Sequence, residues 1–204
     1  VKGTENIFKI AKKYNLKVVY ASSSSIYGNP KKIPITENSE CVPINPYGKT
    51  KLDDEILAKK YSKDNCSIIG LRYFNVYGKG QTGSYAGVIT KFINRIKESK
   101  SPIIFGSGTQ LRDFIFVKDI ALANIIAMQS NVSNGFFNIG TGITTSIKQL
   151  AEIMMDISDL KLDIQYHDAL DGDVKFSQAN MELTESILKW KYSVKLKDGL
   201  ETII

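Results

Sequence analysis

Residues 45 to 55 read Asn-Pro-Tyr-Gly-Lys-Thr-Lys-Leu-Asp-Asp-Glu, and the rest of the chain is interpreted around them. Pro46 suits the first position of a helix capped by Asn45, because the N–H that proline lacks has no partner in a first helical turn. Tyr47 and Lys51 are four residues apart, so a helix places a phenol and an ammonium on one face. We predict a helix that begins at Pro46 and carries this pair.

The pair of Tyr47 and Lys51 has the chemistry of a tuned general base. A tyrosine titrates near pH ~10, about three units above neutrality. Half ionisation near pH ~7 needs roughly 4 kcal/mol in favour of the phenolate, and a cation held nearby is one source. The residues alone leave a second interpretation open, which is a surface aromatic beside a solvated lysine.

Composition bounds the class of protein. Of 204 residues, 43% are hydrophobic and 24% are charged, which is typical of an ordinary soluble domain. No apolar run reaches the length of a membrane span, so we expect no membrane partner. The net charge of +6 comes from dispersed lysines, which indicates a solvated surface and no nucleic-acid site. Cys41 and Cys66 form no metal spacing or disulfide framework and His167 stands alone, so we expect no metal site and a cytoplasmic location.

Short apolar strands alternate with helical segments along the chain. Lys17–Ala21 and Ser67–Phe74 are rich in β-branched or other apolar residues, and strands alternating with helices predict a parallel sheet covered on both faces. A further strand is expected at Arg112–Val117, before a helix capped by Asp119. Ser22 to Ser25 follow the first strand, at the edge where open α/β sheets bind ligands.

The usual opening of such a sheet is missing from these residues. No G-x-G-x-x-G lies between a first strand and a helix, and no acidic residue follows about twenty residues later to bind a ribose. The chain also begins inside a predicted helix without a capping residue, so we expect a fragment. The predicted class is α/β, a partial Rossmann-type doubly wound parallel sheet with a smaller α+β substrate domain. We assign residues 1–78 to the Rossmann part and residues 79–204 to the substrate domain, with residues 113–130 packing back on the Rossmann part.

Six motifs occur in one order along the chain. They are Gly3-Thr4-x-Asn6, Ala21-Ser-Ser-Ser-Ser-Ile-Tyr-Gly28, Pro46-Tyr-Gly-Lys-Thr-Lys51, Leu71-Arg-Tyr-Phe-Asn-Val-Tyr-Gly78, Phe105-Gly-Ser-Gly-Thr-Gln-Leu-Arg-Asp-Phe114 and Asn138-Ile-Gly-Thr-Gly142. Together they resemble the extended short-chain dehydrogenase/reductase superfamily, and within it the NAD-dependent nucleotide-sugar 4-epimerases of the UDP-glucose/UDP-N-acetylglucosamine type. The resemblance covers essentially the whole chain, although family members carry a further upstream segment with the glycine-rich phosphate loop.

The resemblance implies a catalytic set and a cofactor. Tyr47 matches the base, Lys51 its electrostatic partner and nicotinamide-ribose ligand, and Ser23 the hydroxyl that hydrogen-bonds the 4-oxygen of the sugar. The O4 proton would pass to Tyr47 while the hydrogen on C4 passes to NAD⁺. In a 4-epimerase the 4-keto sugar then turns over and receives the hydrogen on its other face, so NAD ends as it began. The implied NAD contacts are Ser22, Tyr47, Lys51, Tyr73 and Phe74.

Two serines separate the reactions of this superfamily. Sugar-nucleotide 4,6-dehydratases place an Asp-Glu pair where Ser24 and Ser25 stand, and decarboxylating relatives place a glutamate at the position of Ser25. Serines near neutral pH cannot replace an acid and a base. Epimerisation is therefore the reaction that the sequence favours.

The resemblance also implies a UDP-sugar substrate. Asn75 matches an asparagine that contacts the diphosphate, and Arg112 an arginine that neutralises it, a task that suits a planar guanidinium. For Arg112, an ordinary ion pair with Asp113 or Asp119 stays open. Core packing stays open for Phe105 and Val88, and a plain turn for Asp173. The implied substrate contacts are Ser23, Ser24, Asn75, Val88, Phe105, Arg112, Asp173 and Ser177.

Two positions near the end of the substrate domain bear on the ligand. The family usually has Arg-x-Gly-Asp where this chain has Leu170-Asp-Gly-Asp173, and losing one charge-assisted contact costs on the order of 1.5–3 kcal/mol of binding. Lys175 is one candidate to replace that charge. Ser177 stands where a large aromatic restricts the family's pocket to glucose and galactose, so its small side chain predicts room for N-acetylhexosamines.

Three further expectations remain. Another nucleotide-sugar reaction of the same superfamily, or a catalytically silent scaffold, stays open beside the epimerase.

Relatives commonly dimerise through a four-helix bundle, which here would use residues 4–14 and the outer face of the helix after Asn45, with Ile56 and Leu57 as candidate contacts. We expect the isolated chain to bind NAD poorly and to turn over no substrate.

Overall fold

The structure is a computed structural model that describes residues 1–81, 87–170 and 172–204. Its α-helices are Lys2–Tyr14 (α1), Pro46–Ser62 (α2), Val88–Lys97 (α3), Val117–Gln129 (α4), Ile147–Ile157 (α5), Glu182–Leu188 (α6) and Leu196–Glu201 (α7). Its strands are Val18–Ser23 (β1), Ile68–Tyr73 (β2), Asn75–Tyr77 (β3), Ile103–Phe105 (β4), Leu111–Arg112 (β5), Phe114–Phe116 (β6), Asn134–Ile139 (β7), Thr145–Ser146 (β8) and Gln165–His167 (β9). A 3₁₀ turn, Ser24–Tyr27, follows β1.

A three-stranded parallel sheet with the order β1-β2-β7 lies at the centre. Its buried apolar side chains are Ile68, Ile69, Leu71, Phe137 and Ile139, on both faces of the sheet, as expected for a sheet covered on both sides. Its register places Ser22, Arg72 and Asn138 side by side in one row near the carboxyl ends of the strands. The alternation of strands and helices around a parallel sheet confirms the predicted α/β class.

Successive residues of the strands point to opposite faces and enter two different cores. Ile68 joins the core beneath α1 and α2, with Phe8 and Tyr61. Ile69 joins a second core with Ile120 of α4, and α4 also packs against β1. Because successive side chains of a strand point to opposite faces, the sheet packs against α1 and α2 on one face and against α4 on the other.

The remaining elements form small sheets around a core of their own. Strands β3 and β6 pair in parallel, as do β4 and β9, and β5 pairs with β8 in an antiparallel way. Their core is built by α3, α5 and α7 around Phe92, Ile104 and Met154. The division of the chain at residue 78 stays a prediction.

Two details differ from the sequence predictions. The strand expected at Arg112–Val117 is interrupted at Asp113, whose carboxylate accepts hydrogen bonds from the backbone of Thr141, Gly142 and Ala179. Helix α4 begins at Val117, so Asp119 is not its cap.

Among the helices in the part of the chain that the structure describes, none is long and apolar enough to cross a membrane.

Candidate active site

The start of helix α2 is fixed as its sequence predicts. The side chain of Asn45 accepts a hydrogen bond of 2.8 Å from the backbone N–H of Gly48, and Pro46 opens the helix. Gly48 then faces the 3₁₀ turn so closely that a Cβ at this position would lie 2.5 Å from the carbonyl oxygen of Ser25. A side chain here would push α2 away from the turn, so the glycine permits the close approach of the two elements.

Ser23 ends β1 and caps the 3₁₀ turn. The backbone N–H of Ser25 donates to the Ser23 hydroxyl over 3.1 Å, and the Ser23 hydroxyl lies 3.1 Å from that of Ser25. These bonds fix the side chain of Ser23, which is buried but still has 7% of its surface exposed. The hydroxyl is therefore held in place at the carboxyl end of the sheet, where ligands bind in open α/β folds.

Ser23 and Tyr47 line one cavity of about 310 Å³, which we call the first cavity. Lys51 does not itself line this cavity. Its ammonium donates to the carbonyl oxygen of Ala21, a lining residue, over 2.9 Å and stands 5.7 Å from the centroid of the Tyr47 ring. Tyr47 is 55% exposed, so its phenol is open to a ligand. The arrangement brings a hydroxyl, a phenol and a cation to one edge of the sheet, as a proton-transfer site requires.

The predicted cofactor contacts Tyr73, Phe74 and Ser22 also line the first cavity. Burial raises the pKa of Tyr73 and outweighs the opposite effect of its hydrogen bond to Asn124, so this phenol stays neutral. Phe74 is 4% exposed and presents an apolar wall. The hydroxyl of Ser22 is engaged elsewhere, because it donates to Glu55 over 2.6 Å.

A second cavity, of about 240 Å³, adjoins the first through Asn75 and Val88, which line both. Its wall contains Arg112, which donates to the carboxylate of Asp173 over 2.6 Å. The sequence left open an ion pair of Arg112 with Asp113 or Asp119. The structure instead pairs Arg112 with Asp173. Burial lowers the pKa of Arg112 and the charge of Asp173 opposes that effect, so the guanidinium stays charged.

The remaining predicted contacts are distributed around the second cavity. Phe105 lines it and packs edge-on against His167, with 5.7 Å between ring centroids. Ser177 is buried beside Asn75, with 3.5 Å between the Asn75 amide nitrogen and the Ser177 hydroxyl, and it lines neither cavity. Ser24 lies in the 3₁₀ turn and also lines neither. Their roles as substrate contacts stay predictions.

Sequence reasoning missed residues around both cavities. Lys91 lines the second cavity, and its position one turn after Val88 on α3 could have indicated this. Leu170, which the sequence had already marked as standing where the family has an arginine, lines the same cavity. Glu55 and Arg72 form a buried ion pair of 2.7 Å behind the first cavity. Glu55 follows Lys51 by four residues on the same helix face, which is the signal that was available for it.

No group of three or more His, Cys, Asp or Glu side chains is placed to hold a metal ion, as far as residues 1–81, 87–170 and 172–204 are concerned. Asp171, one of the residues in the Leu170-Asp-Gly-Asp173 stretch, lies outside the described residues.

The chain resembles known proteins both in sequence and in structure. The NAD dependent epimerase/dehydratase family matches residues 1–140. A Methanocaldococcus jannaschii protein, provisionally named a UDP-glucose 4-epimerase, is 38% identical over 100% of this chain and 67% of its own length.

Two solved structures are similar over nearly the whole chain. One is a UDP-N-acetylglucosamine 4-epimerase from Methanobrevibacter ruminantium in complex with UDP-N-acetylmuramic acid, with a TM-score of 0.94, 34% identity, and coverage of 98% of this chain and 66% of that one. The other is a UDP-glucose 4-epimerase from Thermotoga maritima with UDP-glucose, with a TM-score of 0.92, 31% identity, and coverage of 98% and 66%. The chain thus spans about two thirds of the length of these relatives.

Proposed function

The chain belongs to the NAD dependent epimerase/dehydratase family, and we propose that it is the catalytic and substrate-binding part of an NAD-dependent UDP-hexose 4-epimerase. The observation that carries the proposal is that Ser23 and Tyr47 line one cavity, with the ammonium of Lys51 5.7 Å from the Tyr47 ring. The Ser24–Ser25 pair supports epimerisation against dehydration, because neither position supplies a carboxylate.

In the proposed reaction Tyr47 accepts the proton of the sugar O4 hydroxyl. The positive charge of Lys51 favours the phenolate over the phenol, and Ser23 holds the sugar oxygen by a hydrogen bond. When bound, NAD would supply the redox chemistry by accepting the hydrogen of C4 together with its electron pair and returning both. The 4-keto sugar turns over between the two transfers, and Tyr47 then gives its proton back to O4. Protons and electrons are thereby balanced over one cycle.

The residues of the first cavity fit the nicotinamide end of this cofactor. An ammonium has three N–H donors, and the hydrogen bond to Ala21 uses one of them, so Lys51 keeps two for ribose hydroxyls. Phe74 and Tyr73 provide the flat apolar walls that a nicotinamide ring packs against.

The second cavity fits the nucleotide part of the substrate. Arg112 and Asn75 supply donors for a diphosphate, Asp173 supplies an acceptor for ribose hydroxyls, and Phe105 offers a ring face to a base. Because Asn75 and Val88 line both cavities, one ligand can extend from the base to the reacting sugar. We propose that N-acetylhexosamines are accepted as well as hexoses, because Ser177 is small and lies directly behind Asn75, which lines both cavities.

We propose that the protein is a homodimer joined by a four-helix bundle. Helix α1 exposes Ile7, Ile10 and Tyr14 on one face, with 54%, 51% and 62% of their surface accessible. Helix α2 packs beside α1 and exposes Ile56, whereas Leu57 is packed against the core below these helices. The apolar outer face of α1, with Ile56 of α2 beside it, is what such a bundle needs at its centre. Ile56 therefore belongs to the proposed interface and Leu57 does not.

The two-domain division and a cytoplasmic location complete the proposal. We keep residues 1–78 as the nucleotide-binding part and residues 79–204 as the substrate domain, with 113–130 returning to the first. The cytoplasm suits a protein in which Cys41 and Cys66 are both free thiols.

The longest native gene product that contains this chain provides the test. Incubated with NAD and either UDP-glucose or UDP-N-acetylglucosamine, it should yield the C4 epimer of each, resolved by anion-exchange chromatography and NMR. Tyr47→Phe should lower kcat by at least about a hundredfold, since general base catalysis contributes ~10²–10⁴. A product that lacks the 6-hydroxyl, or an active Tyr47→Phe variant, would contradict the proposal.

Residues 1–204 alone should bind NAD weakly and show no turnover. Calorimetric titration of this chain with NAD measures the affinity, and micromolar binding would contradict that part of the proposal.

A further inference from the structure

A buried polar network lies directly behind the first cavity. Its centre is Arg72 of β2, which is 3% exposed. The guanidinium donates to both carboxylate oxygens of Glu55, with 2.9 Å from Nε to Oε1 and 2.7 Å from Nη2 to Oε2. Its Nη1 donates to the hydroxyl of Tyr27 over 2.7 Å. One planar group therefore holds a helix residue and a turn residue at the same time.

The two residues that Arg72 holds belong to the elements that carry the proposed catalytic set. Glu55 lies on α2, one turn after Lys51 and two turns after Tyr47. Tyr27 ends the 3₁₀ turn that Ser23 caps. Arg72 therefore joins helix α2, which carries the phenol of Tyr47, to the turn that Ser23 caps. The distance between Tyr47 and Ser23 depends on how these two elements are held together.

Further hydrogen bonds hold each side chain of the network in a single orientation. Ser22, beside Ser23 on β1, donates to Glu55 Oε1 over 2.6 Å. Tyr27 accepts from Arg72 and donates to the amide oxygen of Asn138 over 2.7 Å. Asn138 in turn donates to the carbonyl oxygen of Ile35 over 2.9 Å. Buried polar groups with every partner supplied rigidify the elements that they join.

The guanidinium of Arg72 stays charged and the phenol of Tyr27 stays neutral in the folded protein. Burial opposes the charge of Arg72, but the hydrogen bonds and the negative charge of Glu55 outweigh it and raise the pKa of the guanidinium above its usual range. Burial raises the pKa of Tyr27, so its phenol stays neutral and remains a donor to Asn138.

We propose that Arg72 and Glu55 are positioning residues for proton transfer at Tyr47, because they set helix α2 against the turn that holds Ser23. The inference rests on the proposed epimerase function and adds residues that touch neither substrate nor cofactor. A misplacement of about 1 Å by a mutation far from the chemistry can cost ~10²-fold in rate. The network is placed to prevent such a shift.

The experiment uses the longest native gene product that contains this chain. Arg72→Met should lower kcat by about a hundredfold while the KM for the UDP-sugar changes by less than about threefold, because the contacts proposed for the nucleotide part, Phe105, Arg112 and Asp173, lie on elements that the network does not hold. Arg72→Lys keeps a single charged donor that can reach Glu55 or Tyr27 but not both, so it should recover part of kcat. A merely structural role would lower the amount of folded enzyme and leave kcat per folded molecule unchanged.

Asp119→Asn is the matched control. The Asp119 carboxylate is also buried, at 2% exposure, and accepts hydrogen bonds from the Ser193 backbone and hydroxyl and from the Val194 backbone. Its substitution should lower stability, as a change to Arg72 does, yet leave kcat per folded molecule unchanged.

Each outcome decides between separate claims. If the unmodified product epimerises a UDP-sugar and folded Arg72→Met keeps its kcat, the positioning role is overturned and the proposed function stands. If the unmodified product epimerises nothing, the proposed function itself fails. Should Arg72→Met not fold, Tyr27→Phe, which removes only the bonds on the turn side, takes its place. It should lower kcat by about tenfold with little change in KM, and an unchanged kcat would overturn the inference.

Discussion

The guanidinium of Arg112 donates to the carboxylate of Asp173 over 2.6 Å, on the wall of the second cavity. The pair joins β5 to a loop that lies 61 residues later in the chain, and its two charges largely offset each other. A diphosphate that enters the cavity meets an arginine already oriented by its partner. This preorganisation lowers the entropy cost of binding.

We expect Arg112→Met to weaken the binding of UDP to this chain by about 10- to 100-fold. The variant removes a charge-assisted hydrogen bond, which is worth about 1.5–3 kcal/mol. Calorimetric titration with UDP measures the change. Arg95→Met is the matched control, since Arg95 bonds the carbonyl of Ser101 and does not line the cavity. Equal UDP affinity for the two variants would contradict the assignment of Arg112.

Leu170 offers a gain-of-affinity test at the same cavity. Its side chain is 54% exposed and lines the wall beside Asp173. An arginine at this position adds a cation, so we expect Leu170→Arg to strengthen UDP binding by about tenfold at low salt, with a smaller gain as salt increases. Leu170→Met keeps the volume without the charge and should leave the affinity unchanged. A gain that does not depend on salt would contradict the electrostatic cause.

Lys91 of α3 is a further cation in the lining of this cavity. Because Arg112 and Asp173 offset each other, Lys91 supplies net positive charge to the described part of the lining. We expect Lys91→Met to weaken UDP binding by about threefold to tenfold, and the double variant Lys91→Met with Leu170→Arg to regain it. Titration with uridine, which carries no phosphate, should show little change in any of these variants.

The sequence predicted features that depend on local rules. Asn45 caps α2, and Tyr47 and Lys51 share a helix face, because a cap and an i,i+4 spacing are properties of a few neighbouring residues. The parallel sheet also followed from alternating apolar strands and helices. These features needed no knowledge of distant contacts.

The sequence could not predict contacts between distant residues. Arg112 has three aspartates at plausible positions, and only the fold shows that Asp173 is its partner. Asp119 has the residue type of a cap, yet it lies in the first turn of α4 and accepts hydrogen bonds from residues that follow 74 and 75 positions later. Pairings over such separations are set by tertiary packing, which no short window of sequence contains.

The N-caps of α2 and α5 allow the effect of a cap on activity to be separated from its effect on stability. Asn45 and Ser146 each accept a hydrogen bond from a backbone N–H of their helix, at 2.8 and 3.1 Å. Asn45→Ala and Ser146→Ala should each lower the free energy of unfolding by about 1 kcal/mol, measured by urea denaturation. Only Asn45→Ala should also lower kcat of the full-length product, because only α2 carries Tyr47. Equal kcat for the two variants would show that the cap does not position the phenol.

The apolar outer face of α1 predicts the oligomeric state. Ile10 is 51% exposed on the face proposed for the dimer, and a charge buried in an apolar interface without a partner is strongly unfavourable. We expect Ile10→Glu to convert dimers to monomers in sedimentation experiments. Ile125→Glu on α4 is the matched control, because Ile125 is 52% exposed but lies on another surface. Loss of the dimer in the control alone would place the interface on α4.

The buried ion pair of Arg72 and Glu55 allows a prediction about the free energy of unfolding. Both side chains are buried, so Arg72→Met leaves an uncompensated carboxylate and should lower the free energy of unfolding of this chain by about 3–5 kcal/mol. The double variant Arg72→Met with Glu55→Leu removes both charges and should regain most of that loss, since apolar replacements of a buried pair are often neutral or stabilising. Urea denaturation of the two variants measures the difference. A double variant as unstable as Arg72→Met alone would mean that the bonds to Ser22 and Tyr27, and not the ion pair, hold these elements together.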